Sequence, residues 1–183
     1  MKRFLFTTLI VFLLWTAAQM SYAQAIPTAT RNSGLQVGAG YSFASPDYGQ
    51  RKIQGYSIYG TFDFTRHIGI EGDIHRVNVI TPTDIGENTY LLGPRYVLHF
   101  GRFHPYAKGL LGLGFFPTNY DKGSGKPNTN YHHKIYAFGG GVDYTVSRHF
   151  NVRAVDFEYQ RWPGWKPDGL TPYVFTFGAA YHF

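Results

Sequence analysis

From residue 35 the chain alternates. Leu35, Val37, Ala39, Tyr41 and Phe43 make one apolar file, and Gln36, Gly38, Gly40 and Ser42 make the other. A period of two marks an extended strand with two unlike faces. The pattern returns in "GYSIYGTFDF", "IGIEGDIHRV", "NTYLLGPRYVL", "PYAKGLLGLGF", "IYAFGGGVDYTV", "FNVRAVDFEYQRW" and the terminal "PYVFTFGAAYHF". Turn residues separate these eight blocks, each close to the 9–11 residues that a tilted membrane strand needs. No long helical periodicity and no second apolar run of membrane-helix length is visible.

The connections alternate as well. Those after blocks two, four and six are short ("TRH", "HFGRFH", "SRH"), and those after blocks one, three, five and seven are longer. Short and long connections therefore sit at opposite ends, with both termini at the short end. This predicts an all-β, eight-stranded, antiparallel up-and-down transmembrane β-barrel. Block seven breaks its register, because Arg153 and Val155 fall opposite Asp156, Glu158 and Gln160 in a regular strand. An extra residue near Ala154–Val155 brings Arg153, Asp156 and Glu158 onto one face. Alternatively, Arg153 snorkels at an interface.

Residue size decides which face is outside. One file carries Ile, Leu, Phe and Tyr; the other carries Gly, Ser, Thr and charges. An eight-stranded interior is only just wide enough for side chains, so bulky residues from every strand do not fit within it. The apolar file therefore faces lipid, with aromatics at the strand ends as interfacial girdles. A soluble exported barrel with a greasy cavity is the reverse assignment.

Composition sharpens this picture. Aromatics are 19% of the 183 residues, there are 22 glycines, and charged residues are only 15%. A mean hydropathy of −0.23 excludes a helical membrane bundle. There are no cysteines, so no disulfide holds the fold. Residues 1–23 read as a signal peptide: Lys2 and Arg3, an apolar stretch from Phe4 to Ala18, then Ser21-Tyr22-Ala23, with cleavage after Ala23 or Ala25. The alternative is a single membrane anchor, for which the run is short. Residues 24–34 form a short leader, and 35–183 the barrel. Losing Lys2 and Arg3 takes the formal charge from +6 to +4, which argues for no nucleic-acid partner and suits an anionic lipid surface.

"TYLLGPRYVL", "PYAKGLLGLG", "GGGVDYTVS" and "AAYHF" together resemble the small outer-membrane β-barrel domain family, the OmpA-like and OmpX-like eight-stranded proteins. The resemblance spans nearly the whole mature chain. It implies the outer membrane of a Gram-negative-type bacterium, with outer-membrane lipid and lipopolysaccharide as surroundings. It also implies that the barrel-assembly machinery reads Phe175, Phe177, Ala179, Tyr181 and Phe183 as an assembly signal. No periplasmic OmpA-type domain is expected after Phe183.

The inward file collects Asp63, Glu71, Asp73, Asp143, Asp156 and Glu158 against Arg95, Lys108 and Arg153, with His75 nearby. Two readings stand: a salt-bridge network that plugs the lumen, and a narrow ion path gated by those pairs. Glu71 and Asp73 lie roughly 6–7 Å apart on one strand, an unremarkable spacing for carboxylate catalysis. His132 and His133 point to opposite sides and make a poor metal site. "GLLGLG" lacks the helix that a phosphate loop requires. No cofactor is expected. Outer-loop residues (Asp47, Tyr48, Lys122, Ser124, His132, Asp168) leave a lipid-A-modifying enzyme as a rival, without a recognisable triad spacing. Trp162 and Trp165 read as interface anchors or as a contact surface for an extracellular ligand or partner.

Overall fold

The computed structural model describes residues 34–47, 52–77, 87–115, 132–164 and 168–183. The expected signal peptide and nearly all of the expected leader lie outside them. Eight strands follow in order: β1 (Gly34–Ser45), β2 (Ile53–Asp63), β3 (Ile68–Val77), β4 (Glu87–Val97), β5 (Phe103–Phe115), β6 (His132–Thr145), β7 (Phe150–Arg161) and β8 (Tyr173–His182). Each pairs antiparallel with its neighbour, and β8 returns to β1, closing the barrel. Closure runs from Gln36↔His182 to Ser45↔Tyr173. It extends past the strand, where Phe183 donates its N–H to the Leu35 carbonyl at 3.0 Å. The terminal alternation thus belongs to a closing strand, which leaves no open edge for lipid to meet.

The faces are assigned as the residue sizes require. In β8, Phe175, Phe177 and Tyr181 are each at least 40% exposed, while Val174, Thr176 and Ala180 are buried. Outward aromatics gather toward both ends. Phe157 packs on Phe175 at 5.0 Å near the long connections, and Tyr181 on Phe183 at 4.9 Å near the short ones. Leu92, Leu111 and Ile58 expose the aliphatic belt between them.

β7 carries the extra residue. Its pairing with β8 slips between Arg153 and Asp156, and β6 shows the matching slip at Val142/Asp143. Ala154 and Val155 both stay off the buried face, and Arg153, Asp156 and Glu158 all turn inward. The bulge exists because two charges flank an apolar pair that lipid accepts and the lumen does not.

Among the described residues three Tyr or Trp rings do enter the lumen: Tyr59, Tyr106 and Trp162, all buried. Glycines make the room for all three, and a Cβ at Gly141 would overlap Tyr106. A Cβ at Gly38 would overlap the Tyr59 ring, and one at Gly114 the Trp162 ring. The interior is too narrow for aromatics from every strand, yet it accepts a few opposite glycine.

Candidate lumen charge centre

The burial of Trp162 corrects the expectation that it stands at the rim as an interface anchor or exposed contact. It is fully buried, because it continues the inward file of Asp156, Glu158 and Gln160. The chain then folds back through Gly169, whose φ is 81°, and Trp162 and Leu170 exchange backbone hydrogen bonds of 2.9 and 3.2 Å. Together with Leu91, Leu110, Ile135 and Ala137 they form an apolar lid at the long-loop end. Ala44, Ile53, Val77 and Val174 form a second apolar cluster at the same end of their strands. Trp165 lies outside the described residues.

Below the lid is a layer of charge. Lys108 of β5 places its Nζ at 2.8 Å from Glu71 Oε1, 2.7 Å from Asp73 Oδ2, 2.8 Å from Asp156 Oδ2 and 2.6 Å from Glu158 Oε1. One ammonium thus ties β3 to β7 across the lumen. Arg153 grips Glu71 with both terminal nitrogens at 3.0 Å and reaches Asp143 through Nε at 3.2 Å. Arg95 meets Asp143 at 2.5 Å and Glu71 at 3.4 Å. The guanidiniums also stack: Arg95 lies 4.0 Å from the Tyr106 ring centre and Arg153 3.7 Å from that of Tyr59. Tyr106 donates to Asp156 at 2.7 Å. His75 sits 3.4 Å from Glu158. A hydrogen-bonded chain then climbs to the lid: Gln160 donates to Glu158, and the Trp162 indole donates to Gln160, both at 3.2 Å.

Nine of the ten expected lumen residues are therefore joined in one buried system. Asp63 stands apart, half-buried at the short-turn end. There it lines a polar cavity of about 200 Å³ with Arg95, His99, His104, Asp143 and His182. Charges taken from water persist only when paired and hydrogen-bonded, and this density of contacts supplies the pairing. Tyr59 and Tyr106 turn inward in β2 and β5 and serve as platforms for the two guanidiniums. Glu87, one residue before the block "NTYLLGPRYVL", is the first residue of β4 and fully buried.

Ligand atoms of Asp73, His75 and Glu158 lie within 4.8 Å of one another. The Lys108 ammonium already occupies the position between the two carboxylates, so the cation role there is filled by the chain itself. His132 and His133 are the first residues of β6; His132 packs outward on Phe115 at 4.5 Å and His133 lies 6.2 Å from Trp162. At the rim, Asp47 accepts from the Thr171 hydroxyl at 2.7 Å and its N–H at 3.2 Å, which ties two loops together. The Asp168 carbonyl accepts from Arg161. Tyr48, Lys122 and Ser124 fall outside the described residues.

Residues 9–183 match the family model described as outer membrane protein beta-barrel domain. None of the curated proteins matches the chain in sequence. Among solved structures, it resembles OprG from Pseudomonas aeruginosa, with a TM-score of 0.61 and 15% identity, over 82% of this chain and 96% of that one. It also resembles Ail, the attachment invasion locus protein of Yersinia pestis, with a TM-score of 0.54 and 17% identity, over 83% and 99%. A third is Neisserial surface protein A, with a TM-score of 0.57 and 15% identity, over 82% and 96%. At these identities the likeness concerns the fold.

Proposed function

The chain belongs to the outer-membrane β-barrel domain family, and on that premise we propose that it is a non-conducting barrel with a structural lumen. Its physiological role, in surface interaction or envelope integrity, is then carried by the long loops. The observation that carries this reading is the double closure of the lumen. Lys108 and four carboxylates fill its middle, and the Trp162–Leu170 lid covers them on the long-loop side. An ion would have to part buried pairs and then wet an apolar layer, and each step is costly.

The long connections (46–52, 78–86, 116–131 and 162–172) carry five Lys or Arg against four Asp. That near-balance favours recognition by shape and hydrogen bonding over bulk charge. The file Phe175, Phe177, Ala179, Tyr181 and Phe183 serves as the assembly signal in this reading, and residues 1–23 as the export signal. The polar cavity at the short-turn end favours a second reading, a narrow pore entered from that side.

Planar-bilayer recording separates the two. The plug reading expects no discrete steps from the wild type, and none from Lys108→Ala while the lid remains. It expects conduction only when Lys108→Ala is combined with Trp162→Ala. Steps in the wild type would overturn it. Replacing residues 117–130 by a short turn should leave the barrel intact while abolishing attachment to host cells or surfaces, if the loops carry the role.

A further inference from the structure

Two of the short turns are built alike. Phe64-Thr65-Arg66-His67-Ile68 joins β2 to β3, and Val146-Ser147-Arg148-His149-Phe150 joins β6 to β7. Both share the order apolar, hydroxyl, Arg, His, apolar. Their backbones match as well. The first and second residues donate to the fifth carbonyl at 3.0 and 3.1 Å in both turns. Thr65 Oγ1 accepts from the His67 N–H at 3.3 Å, and Ser147 Oγ accepts from the His149 N–H at 3.4 Å.

The imidazoles are held alike too. His67 Nδ1 is 2.9 Å from the Val97 carbonyl, and its ring stacks on Tyr96 at 5.9 Å. His149 Nδ1 is 3.2 Å from the His182 carbonyl, and its ring stacks on Tyr181 at 5.6 Å. A carbonyl only accepts, so Nδ1 carries the proton in each ring, and Nε2 is the nitrogen that remains to meet a ligand. Each turn therefore presents an exposed guanidinium beside a fixed imidazole acceptor. Beside them, Phe64, Ile68, Val146 and Phe150 are each more than half exposed, which places these tips at the edge of the apolar belt.

The third short connection, 98–102, adds Arg102 and His99, and no acidic residue occurs in any of the three. The His99 ring lies 5.8 Å from that of His67. Burial, then the nearby imidazoles of His104 and His67 and the Arg66 guanidinium, push the His99 pKa below its ordinary value. The three connections of the short-turn rim thus hold cations and no acid, and the nearest carboxylates, Asp63 and Asp143, line the cavity behind them together with His99 and Arg148. Three turns holding cations at the apolar edge fit an anion that is itself anchored there.

We propose that the Thr65–His67 and Ser147–His149 turns are two copies of one headgroup clamp for a phosphatidylglycerol-type lipid in the leaflet at the short-turn end. The arginine takes the phosphodiester, and the histidine Nε2 accepts from a headgroup hydroxyl. The inference rests on the lipid-facing reading of the barrel.

The test places the full mature barrel in phosphatidylcholine vesicles with trace spin-labelled lipids and measures relative association by electron paramagnetic resonance. Phosphatidylglycerol should exceed phosphatidylcholine by about fivefold, the effect of one arginine at an anionic headgroup. It should also exceed phosphatidylmethanol, which has the same charge and no hydroxyl. Arg66→Gln with Arg148→Gln should bring the first ratio close to one. His67→Phe with His149→Phe, which keeps the stacking ring, should abolish only the second. Equal association of phosphatidylglycerol and phosphatidylcholine with the wild type overturns the proposal, as does a double arginine variant that keeps the preference. Equality of phosphatidylglycerol and phosphatidylmethanol overturns the clamp in favour of a diffuse cationic rim. Heat-dependent gel mobility, run on every sample, reports barrel closure separately: a wild type that fails to insert refutes the lipid-facing reading instead.

Discussion

At the long-loop mouth Trp162 and Leu170 lie over a dry apolar layer, whereas at the short-turn mouth Arg95 and Asp143 look into a polar cavity of about 200 Å³. The connections differ in the same sense. Those of the long end mix five cations with four acids, and those of the short end hold three arginines and no acid. The same eight strands thus end in an apolar-capped face and a polar, hollow one. The difference explains how a buried charge layer can be tolerated. Lys108, under the lid, must be fully satisfied by protein, and it is, by four carboxylates. Arg95, at the edge of the cavity, needs only Asp143, Glu71 and the Tyr106 face.

The sharpest way to break this comparison is to remove the cation on the capped side. Lys108→Met leaves four carboxylates facing one another without their common partner. Loss of one member of a buried ion system costs about 3–5 kcal/mol. The variant should unfold in markedly less urea, read as loss of heat-dependent gel mobility, or fail to refold. Near-native stability would mean that water reaches Lys108 and that the lid does not seal.

Removing the lid comes next. Trp162→Ala empties the space opposite Gly114 and releases Gln160, at a cost of about 3 kcal/mol. By itself it should leave the barrel closed to ions, since the charge layer persists. Arg95→Gln is the matched change on the hollow side. Solvent in the cavity can take over part of what Asp143 loses, so about 1–2 kcal/mol is expected. If Arg95→Gln proves as damaging as Lys108→Met in the same urea titration, the two sides are not differently hydrated and the contrast fails.

How much of this was readable in the chain follows the same divide. Strand order, faces and the β7 irregularity were legible, because alternation is local and lipid enforces it at every second residue. The inward charges were legible as a set but not as a network. Which cation meets which acid depends on register across strands distant in sequence, as with Lys108 and Glu158. Trp162 was misread for a physical reason: Trp beside Pro and Gly in a connection suggests an interfacial anchor. Its place two residues beyond Gln160 in the inward file was the signal to follow. "TRH" and "SRH" were visible as short connectors. Their likeness became meaningful only when both imidazoles proved to be bonded and stacked in the same way.

The smallest expected effect tests the cationic short-turn rim through His99. Its pKa lies below the ordinary histidine value, so the folded barrel binds that proton less readily than the unfolded chain does. Stability tied to this group is therefore present at pH 8 and is lost as the pH falls through the ordinary histidine range. His99→Gln removes the dependence. In a zwitterionic detergent the wild-type unfolding midpoint should fall relative to the variant between pH 8 and pH 6, by a small amount because the ring is largely exposed. Adding phosphatidylglycerol should shrink that gap, since a phosphate among Arg66, His67 and His99 relieves the repulsion that lowers the pKa. A gap that is unchanged by the lipid would place the origin of the shift in burial alone. The short-turn rim would then be cationic without being built to hold an anion.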